Sequence, residues 1–117
     1  MLLLTLAALG VAALLAARSS SGAAVSFRRQ IQPLFDRKCA VCHPVSYPYL
    51  DLRRGRSYDQ LVRAPSALDP AYELVLPGRP ELSYLLVHPP EPSNRGLLTS
   101  ADRRLIARWI REGAHDN

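Results

Sequence analysis

The sequence predicts a small all-α domain in which two terminal helices enclose a loop-rich centre. Two stretches near the ends of the domain carry apolar residues at helical spacing, and no stretch alternates as a half-buried strand would. Nine of the ten prolines lie between residues 44 and 92, which excludes long helices from the middle of the chain. With 117 residues in total, the chain has room for one such domain.

The chain opens with an uncharged apolar run that starts at Leu2 and stops at Ala17. A helix that is apolar on every side cannot be buried in a small soluble domain, so the run indicates export or membrane insertion. It is shorter than the about 20 residues that a span needs, and a small-residue sequence typical of cleavage sites follows from Ser21. However, no basic residue precedes the run and Arg18 follows it directly. A cleaved signal peptide and a retained membrane anchor both fit, and both place the domain on the oxidising side of a membrane.

We therefore divide the chain into a signal peptide or anchor helix, residues 1–23, and a domain, residues 24–117. A domain this small buries a modest share of its surface and usually needs a covalent or cofactor staple. The net charge of +5 comes almost wholly from arginine, since Lys38 is the one lysine. The arginines are spread along the chain without aromatic interleaving, which predicts a solvated surface that steers acidic partners and no nucleic-acid binding.

The first helix is predicted over residues 25–38, with Ser26 as its N-cap and Pro33 as a point of kinking or division. Its apolar face is formed by Phe27, Ile31, Leu34 and Phe35. Its outer side is predicted to carry Arg28, Arg29 and Gln32.

The middle of the domain predicts loops and short helices. Residues 44–55 are expected to be irregular, and residues 57–63 to form a short helix with Ser57 and Gln60 as a capping pair. A Pro-Gly-Arg-Pro turn precedes another short helix over residues 81–87. The side chains expected to line a pocket are Tyr47, Tyr49, Leu50, Leu52, Leu61, Leu85 and Leu86.

The last helix begins at a capping pair, Thr99 and Asp102, and ends before Gly113. Its apolar face is formed by Leu105, Ile106, Trp109 and Ile110. Its solvent side is predicted to carry Arg103, Arg104, Arg108 and Arg111.

The motif that carries chemistry is Cys39-Ala40-Val41-Cys42-His43, a C-x-x-C-H sequence typical of covalent haem c attachment. Two thiols one turn apart can each form a thioether with a haem vinyl group, and the adjacent His43 then meets the iron as proximal ligand. A zinc site would need four ligands at other spacings, and a dithiol redox motif would need a βαβ context. A plain disulfide remains open but leaves His43 unexplained.

With these pieces in order, the sequence resembles the small mono-haem cytochrome c domains of planctomycetes and related bacteria. The resemblance is carried by QIQPLFDRKCAVCH, SYDQLV, LPGRPELSYLL and LLTSADRRLIARWIREGAHDN. It implies the small cytochrome c fold, in which the first and last helices cross, with Phe35 and Trp109 as candidates for the crossing. Guanidinium groups match carboxylate geometry, so the candidates for pairing with the haem propionates are Arg53, Arg54, Arg56 and Arg79, with no choice among them from the sequence.

The second iron ligand departs from this family, which usually supplies a methionine from a Met-Pro-Pro segment before the last helix. Met1 is the one methionine of this chain, and the corresponding place reads His88-Pro89-Pro90. We expect His88 to be the distal ligand and the iron to be bis-histidine. A five-coordinate haem, or ligation by Asn94 or His115, stays open.

The expected function is single-electron transfer on the periplasmic side of a membrane, with redox proteins as partners and no enzymatic activity. A five-coordinate haem sensor or haem enzyme is one alternative. A tethered subunit of a larger respiratory or photosynthetic complex is the other, with the run from Leu2 to Ala17 in the membrane.

Overall fold

Short helical segments joined by turns make up the computed structural model, which describes residues 22–87 and 97–117. In chain order these are a π-helical turn, α1, α2, a 3-10 turn, α3 and α4. Their bounds are Phe27–Ile31, Gln32–Lys38, Ser57–Leu61, Pro80–Leu82, Tyr84–Val87 and Ser100–Arg111. Within the described ranges no strand forms, although two isolated bridges join Val62 to Val75 and Pro65 to Glu73. The prediction of a helical domain without strands is confirmed.

The first helix is divided in the way that its proline predicts. Ser26 caps the π-helical turn, since its hydroxyl accepts a 3.1 Å hydrogen bond from the Arg29 amide. The segment Phe27–Ile31 is π-helical, and α1 continues regularly from Gln32 with Pro33 in its first turn. A proline is tolerated there because the amide it lacks has no partner at the start of an α-helix.

The first and last helical segments meet in an aromatic cluster. The Phe27 ring lies 5.1 Å from that of Trp109, 5.2 Å from that of Tyr58 and 6.2 Å from that of Phe35. Phe35 and Trp109 are both buried, as predicted, but Phe27 is the ring that lies against all three of its neighbours. The aliphatic residues fully buried in the same core include Ile31, Leu34, Leu61, Val75, Ile106 and Ile110.

The predicted position of Gln32 on the outer side of the helix is wrong, since its exposed fraction is 2%. Its amide nitrogen donates to the Leu52 carbonyl at 3.0 Å and to Asp36 at 2.8 Å, and its amide oxygen accepts from the Ser57 hydroxyl. These bonds satisfy a buried polar group and link α1 to the loop before α2 and to α2 itself.

The predicted capping pair of α2, Ser57 and Gln60, is also wrong, because both side chains are bonded to other segments of the chain. Ser57 is the first residue of the helix and its hydroxyl is bonded to Gln32. The Gln60 side chain accepts a 2.7 Å hydrogen bond from the Asp51 amide. Both side chains fix neighbouring segments instead of closing the end of their own helix.

Replacing Gln32 by leucine is expected to lower the free energy of unfolding by about 2–4 kcal/mol, because it leaves the Ser57 hydroxyl and the Leu52 carbonyl buried without partners. Adding Ser57→Ala should recover part of that loss, since it removes one unsatisfied group. Urea denaturation checks both, with the exposed Gln30→Leu as control. If the double variant loses as much unfolding free energy as the two single variants together, this description of the network is contradicted.

Helix α4 has the ends that the sequence predicts. The Thr99 hydroxyl accepts from the Asp102 amide at 3.0 Å and the Asp102 carboxylate accepts from the Thr99 amide at 2.9 Å, which completes a capping box. Gly113 follows the helix with φ +111°, a conformation that favours glycine. Ile106, Trp109 and Ile110 are buried, whereas the predicted core residue Leu105 is half-buried.

The predicted helix over residues 81–87 is interrupted at Ser83. The Ser83 hydroxyl donates to the Arg79 carbonyl at 2.9 Å and accepts from the Leu76 amide at 3.0 Å. A hydroxyl that bonds nearby backbone groups competes with regular helix, so a 3-10 turn and the short α3 replace one continuous helix. The turn before them forms as predicted, with Gly78 at φ +83°.

The apolar run predicted to be a signal peptide or an anchor lies outside the described residues. Among helices in residues 22–87 and 97–117, none is both long and apolar enough to cross a bilayer.

Candidate functional site

The C-x-x-C-H motif forms a helical turn that continues directly from α1. The Cys39 amide donates to the Phe35 carbonyl at 2.8 Å, and the amides of Cys42 and His43 donate to the Cys39 carbonyl at 3.1 and 2.9 Å. Residues three and four positions apart on a helical turn lie on one face. The fold therefore brings both thiols and the imidazole to the same side of the chain.

That face lines a cavity of about 770 Å³, within the range of roughly 300–1,000 Å³ that is usual for cofactor and ligand sites. Cys39, Cys42 and His43 all contribute to its wall. Most of the remaining wall is aromatic or aliphatic and includes Tyr47, Tyr49, Leu50, Leu52, Leu74, Leu85, Leu97 and Leu98. Five of the seven predicted wall residues lie there, whereas Leu61 belongs to the core and Leu86 packs beside it.

The rings of two tyrosines lie next to the His43 ring. The Tyr47 ring lies 5.1 Å from the imidazole at an interplanar angle of 31°, and the Tyr49 ring meets it edge-on at 6.1 Å. The His43 carbonyl accepts a 3.3 Å hydrogen bond from the Leu52 amide, and the Leu52 carbonyl accepts from Gln32. The buried Gln32 network thus fixes the loop that closes on the motif.

The cationic side chains in the wall of the cavity are Lys38 and Arg103, which the sequence did not single out for this place. The Lys38 ammonium pairs with Asp102 at the start of α4, and this bond holds the pKa of Asp102 below its usual range. Arg103 donates to the Leu86 carbonyl at 3.3 Å. The partner of Lys38 lies 64 residues away and that of Arg103 lies 17 residues away, so no local pattern could have found them.

The four arginines proposed for haem propionates do not line this cavity. Arg53 binds Asp51 through two bonds of 2.9 and 2.7 Å, which lowers the pKa of Asp51 to about 2. Arg54 pairs with Asp36, Arg79 pairs with Glu81, and Arg56 precedes α2 on the surface.

The two cysteines are thiols that are not joined by a disulfide. Burial raises the pKa of the Cys39 thiol to about 11, more than the nearby Lys38 lowers it. Cysteines of dithiol redox motifs are active because their thiol pKa is depressed. The Cys39 thiol therefore lacks the depressed pKa that activates the attacking cysteine of many dithiol redox motifs.

The zinc interpretation receives no support from the described part of the chain. Across residues 22–87 and 97–117, no three His, Cys, Asp or Glu side chains come together as a metal-holding group. A structural zinc site normally has four such ligands.

Comparison with known proteins gives no relative. No family model matches this chain, and no curated protein or solved structure matches it. The functional interpretation therefore rests on the motif and on the cavity that the motif faces.

The predicted distal ligand His88 and the alternative Asn94 both lie outside the described residues. The other alternative, His115, follows the end of α4 and is absent from the wall of the cavity. Its carbonyl accepts a 3.0 Å bond from the Trp109 indole. On either side of the undescribed residues 88–96, Leu85 and Leu97 line the cavity.

Proposed function

We propose that this chain is a mono-haem c-type cytochrome that carries single electrons on the periplasmic side of a membrane, and that it is not an enzyme. One observation carries the proposal: Cys39, Cys42 and His43 share one face of a helical turn and line the same largely apolar cavity. This donor set fits haem c, since two thiols are available for the vinyl groups and one imidazole for the iron.

The residues of the cavity have distinct roles in this proposal. Cys39 and Cys42 would hold the haem covalently, and His43, between Tyr47 and Tyr49, would be the proximal ligand. The apolar wall would exclude water from the ring, and Lys38 and Arg103 would offer cations to its propionates. The bound haem supplies a one-electron couple at its iron.

The proposed fold is the small cytochrome c type. The contact of Phe27 in the first helical segment with Trp109 in α4 is consistent with the crossing of terminal helices that this fold requires. The short α2 and α3 then lie in the loop-rich centre, as the prolines predict.

The test of this function is haem retention after denaturation. The full chain, produced together with a haem c maturation system, is expected to keep haem colour on a denaturing gel and to gain the mass of one haem. Its reduced form should show the sharp absorption bands of a c-type haem. A chain that carries no haem, or loses it on denaturation, would overturn the proposal.

We further propose that His88 is the second iron ligand. Residues 24–117 contain no methionine, and His88 lies in the sequence between Leu85 and Leu97, which both line the cavity. Histidine in place of methionine should lower the reduction potential, because methionine ligation raises it.

The wild-type haem is then expected to be low-spin and not to bind carbon monoxide. Replacing His88 by alanine should give high-spin ferric iron by EPR and rapid, stoichiometric carbon monoxide binding after reduction. His115→Ala is the matched control and should leave both properties unchanged. A high-spin wild type that binds carbon monoxide would instead favour the five-coordinate sensor or haem enzyme.

A further inference from the structure

The outward face of α4 is a basic surface. At about 100° per residue, the side opposite Ile106, Trp109 and Ile110 contains three arginines, two alanines and a serine. These residues, called the arginine face below, are Ser100, Ala101, Arg104, Ala107, Arg108 and Arg111. None of the six is acidic, and all are exposed except the half-buried Ala107.

The interaction of cations with the helix dipole explains only part of the positive charge on this face. Arg108 and Arg111 lie in the last turn, where the helix dipole favours cations. Arg103 lies outside this face, on the side of Ile110, where it is in the cavity wall and donates to the Leu86 carbonyl. Arg104 lies nearer the N-terminus, where the dipole gives a cation no stabilisation.

Ion pairs with acidic residues do not explain the positive charge of this face either. Among the described residues, neither Arg104 nor Arg111 has an acidic partner at ion-pair distance. Glu81 is near enough for Arg111 to lower its pKa slightly, but its hydrogen bond is to Arg79. The acid at the border of the face, Glu112, is bonded to Arg108 and to the Val25 amide.

The start of the domain is fixed on this same face. The Arg108 guanidinium donates to the carbonyls of Gly22 and Ala23 at 3.3 and 2.9 Å. The Val25 amide donates to Glu112 at 2.8 Å.

Only residues 18–21 separate Gly22 from the apolar run that stops at Ala17. The five Cα steps between Ala17 and Gly22 reach at most about 18 Å.

From the charge of this face and its attachment to the start of the domain, we propose that the arginine face rests on the headgroups of an anionic membrane when residues 2–17 lie in the bilayer. The headgroup layer on one side of a bilayer is about 5–7 Å thick, which is less than the distance that the chain from Ala17 to Gly22 can span. Guanidinium groups match phosphate geometry, and the small side chains of Ala101 and Ala107 let a flat surface approach. Basic side chains close to a bilayer surface that contains anionic lipid are attracted to its headgroups over about a Debye length. The proposal does not depend on the haem.

The test measures arginine reactivity in the full chain. Reconstituted into vesicles that contain phosphatidylglycerol, the protein is treated with phenylglyoxal and each arginine is followed by mass spectrometry. Arg104 and Arg111 are expected to react roughly fivefold more slowly than in phosphatidylcholine vesicles, a factor that corresponds to the usual contribution of one basic residue at an anionic surface. High salt should remove the difference. The exposed Arg37 and Arg63, on other elements, should react alike in both vesicles.

A matched pair of variants completes the test. Arg104→Gln/Arg111→Gln should abolish the lipid-dependent protection of Arg108, whereas Arg37→Gln/Arg63→Gln removes the same charge and should preserve it. Equal rates for Arg104 in both vesicle types would overturn the proposal, and so would equal protection of Arg37 and Arg104. These rates are measured without reference to haem, so failure of the cytochrome assignment would leave the result interpretable.

Discussion

The Cys39→Ala/Cys42→Ala variant is expected to retain no haem on a denaturing gel, whereas the wild type retains one. The expectation follows from the chemistry of the site, since these are the only two cysteines of the chain and both line the cavity. Without thioethers, haem is held by coordination of its iron and by non-covalent contacts with the cavity wall. Both are lost when the chain unfolds. Gel staining for haem and intact mass together measure the effect.

Single variants and a neighbouring control sharpen this result. Cys39→Ala and Cys42→Ala should each keep haem through one thioether, with bands shifted to longer wavelength by the vinyl group that stays conjugated. Val41, between the cysteines, is 67% exposed, and Val41→Ala should match the wild type. Retention of haem by the double variant after denaturation would contradict covalent attachment at these residues.

The ends of the helices could be predicted from the sequence because the interactions that form them are local. Ser26, the Thr99 and Asp102 pair and Gly113 each act on backbone groups within a few residues of themselves. The C-x-x-C-H motif is contiguous, so its common face also follows from spacing alone.

The polar interior could not be predicted in this way. Gln32 has partners 20 and 25 residues away, at Leu52 and Ser57, and a polar side chain next to the apolar face of a helix is usually exposed. The same holds for Lys38, whose partner Asp102 lies 64 residues further along the chain. By contrast, the partners of Arg53 and Arg79, which are Asp51 and Glu81, lie two residues away in the sequence.

Replacing Phe27 by alanine is expected to lower the free energy of unfolding by about 3–5 kcal/mol, the usual range for deletion of a buried phenylalanine ring. Phe27 is 4% exposed and its ring lies against those of Phe35, Tyr58 and Trp109, so the cavity left by its removal adjoins three large side chains. A small domain has a total stability of roughly 5–15 kcal/mol, so this one change removes a large share.

Thermal denaturation of the haem-loaded protein measures the loss, which corresponds to a fall in Tm of at least about 12 °C for a domain of this size. Tyr72→Ala is the matched control, since it deletes an aromatic ring that is 37% exposed and lies 5.8 Å from that of Tyr84, away from the core. Its effect should be clearly smaller. Because thioether attachment is covalent, Phe27→Ala protein should still carry haem on a denaturing gel, which separates the role of Phe27 in stability from that of Cys39 and Cys42 in attachment. A loss from Phe27→Ala no larger than that from Tyr72→Ala would show that the first and last helical segments are not held together through Phe27.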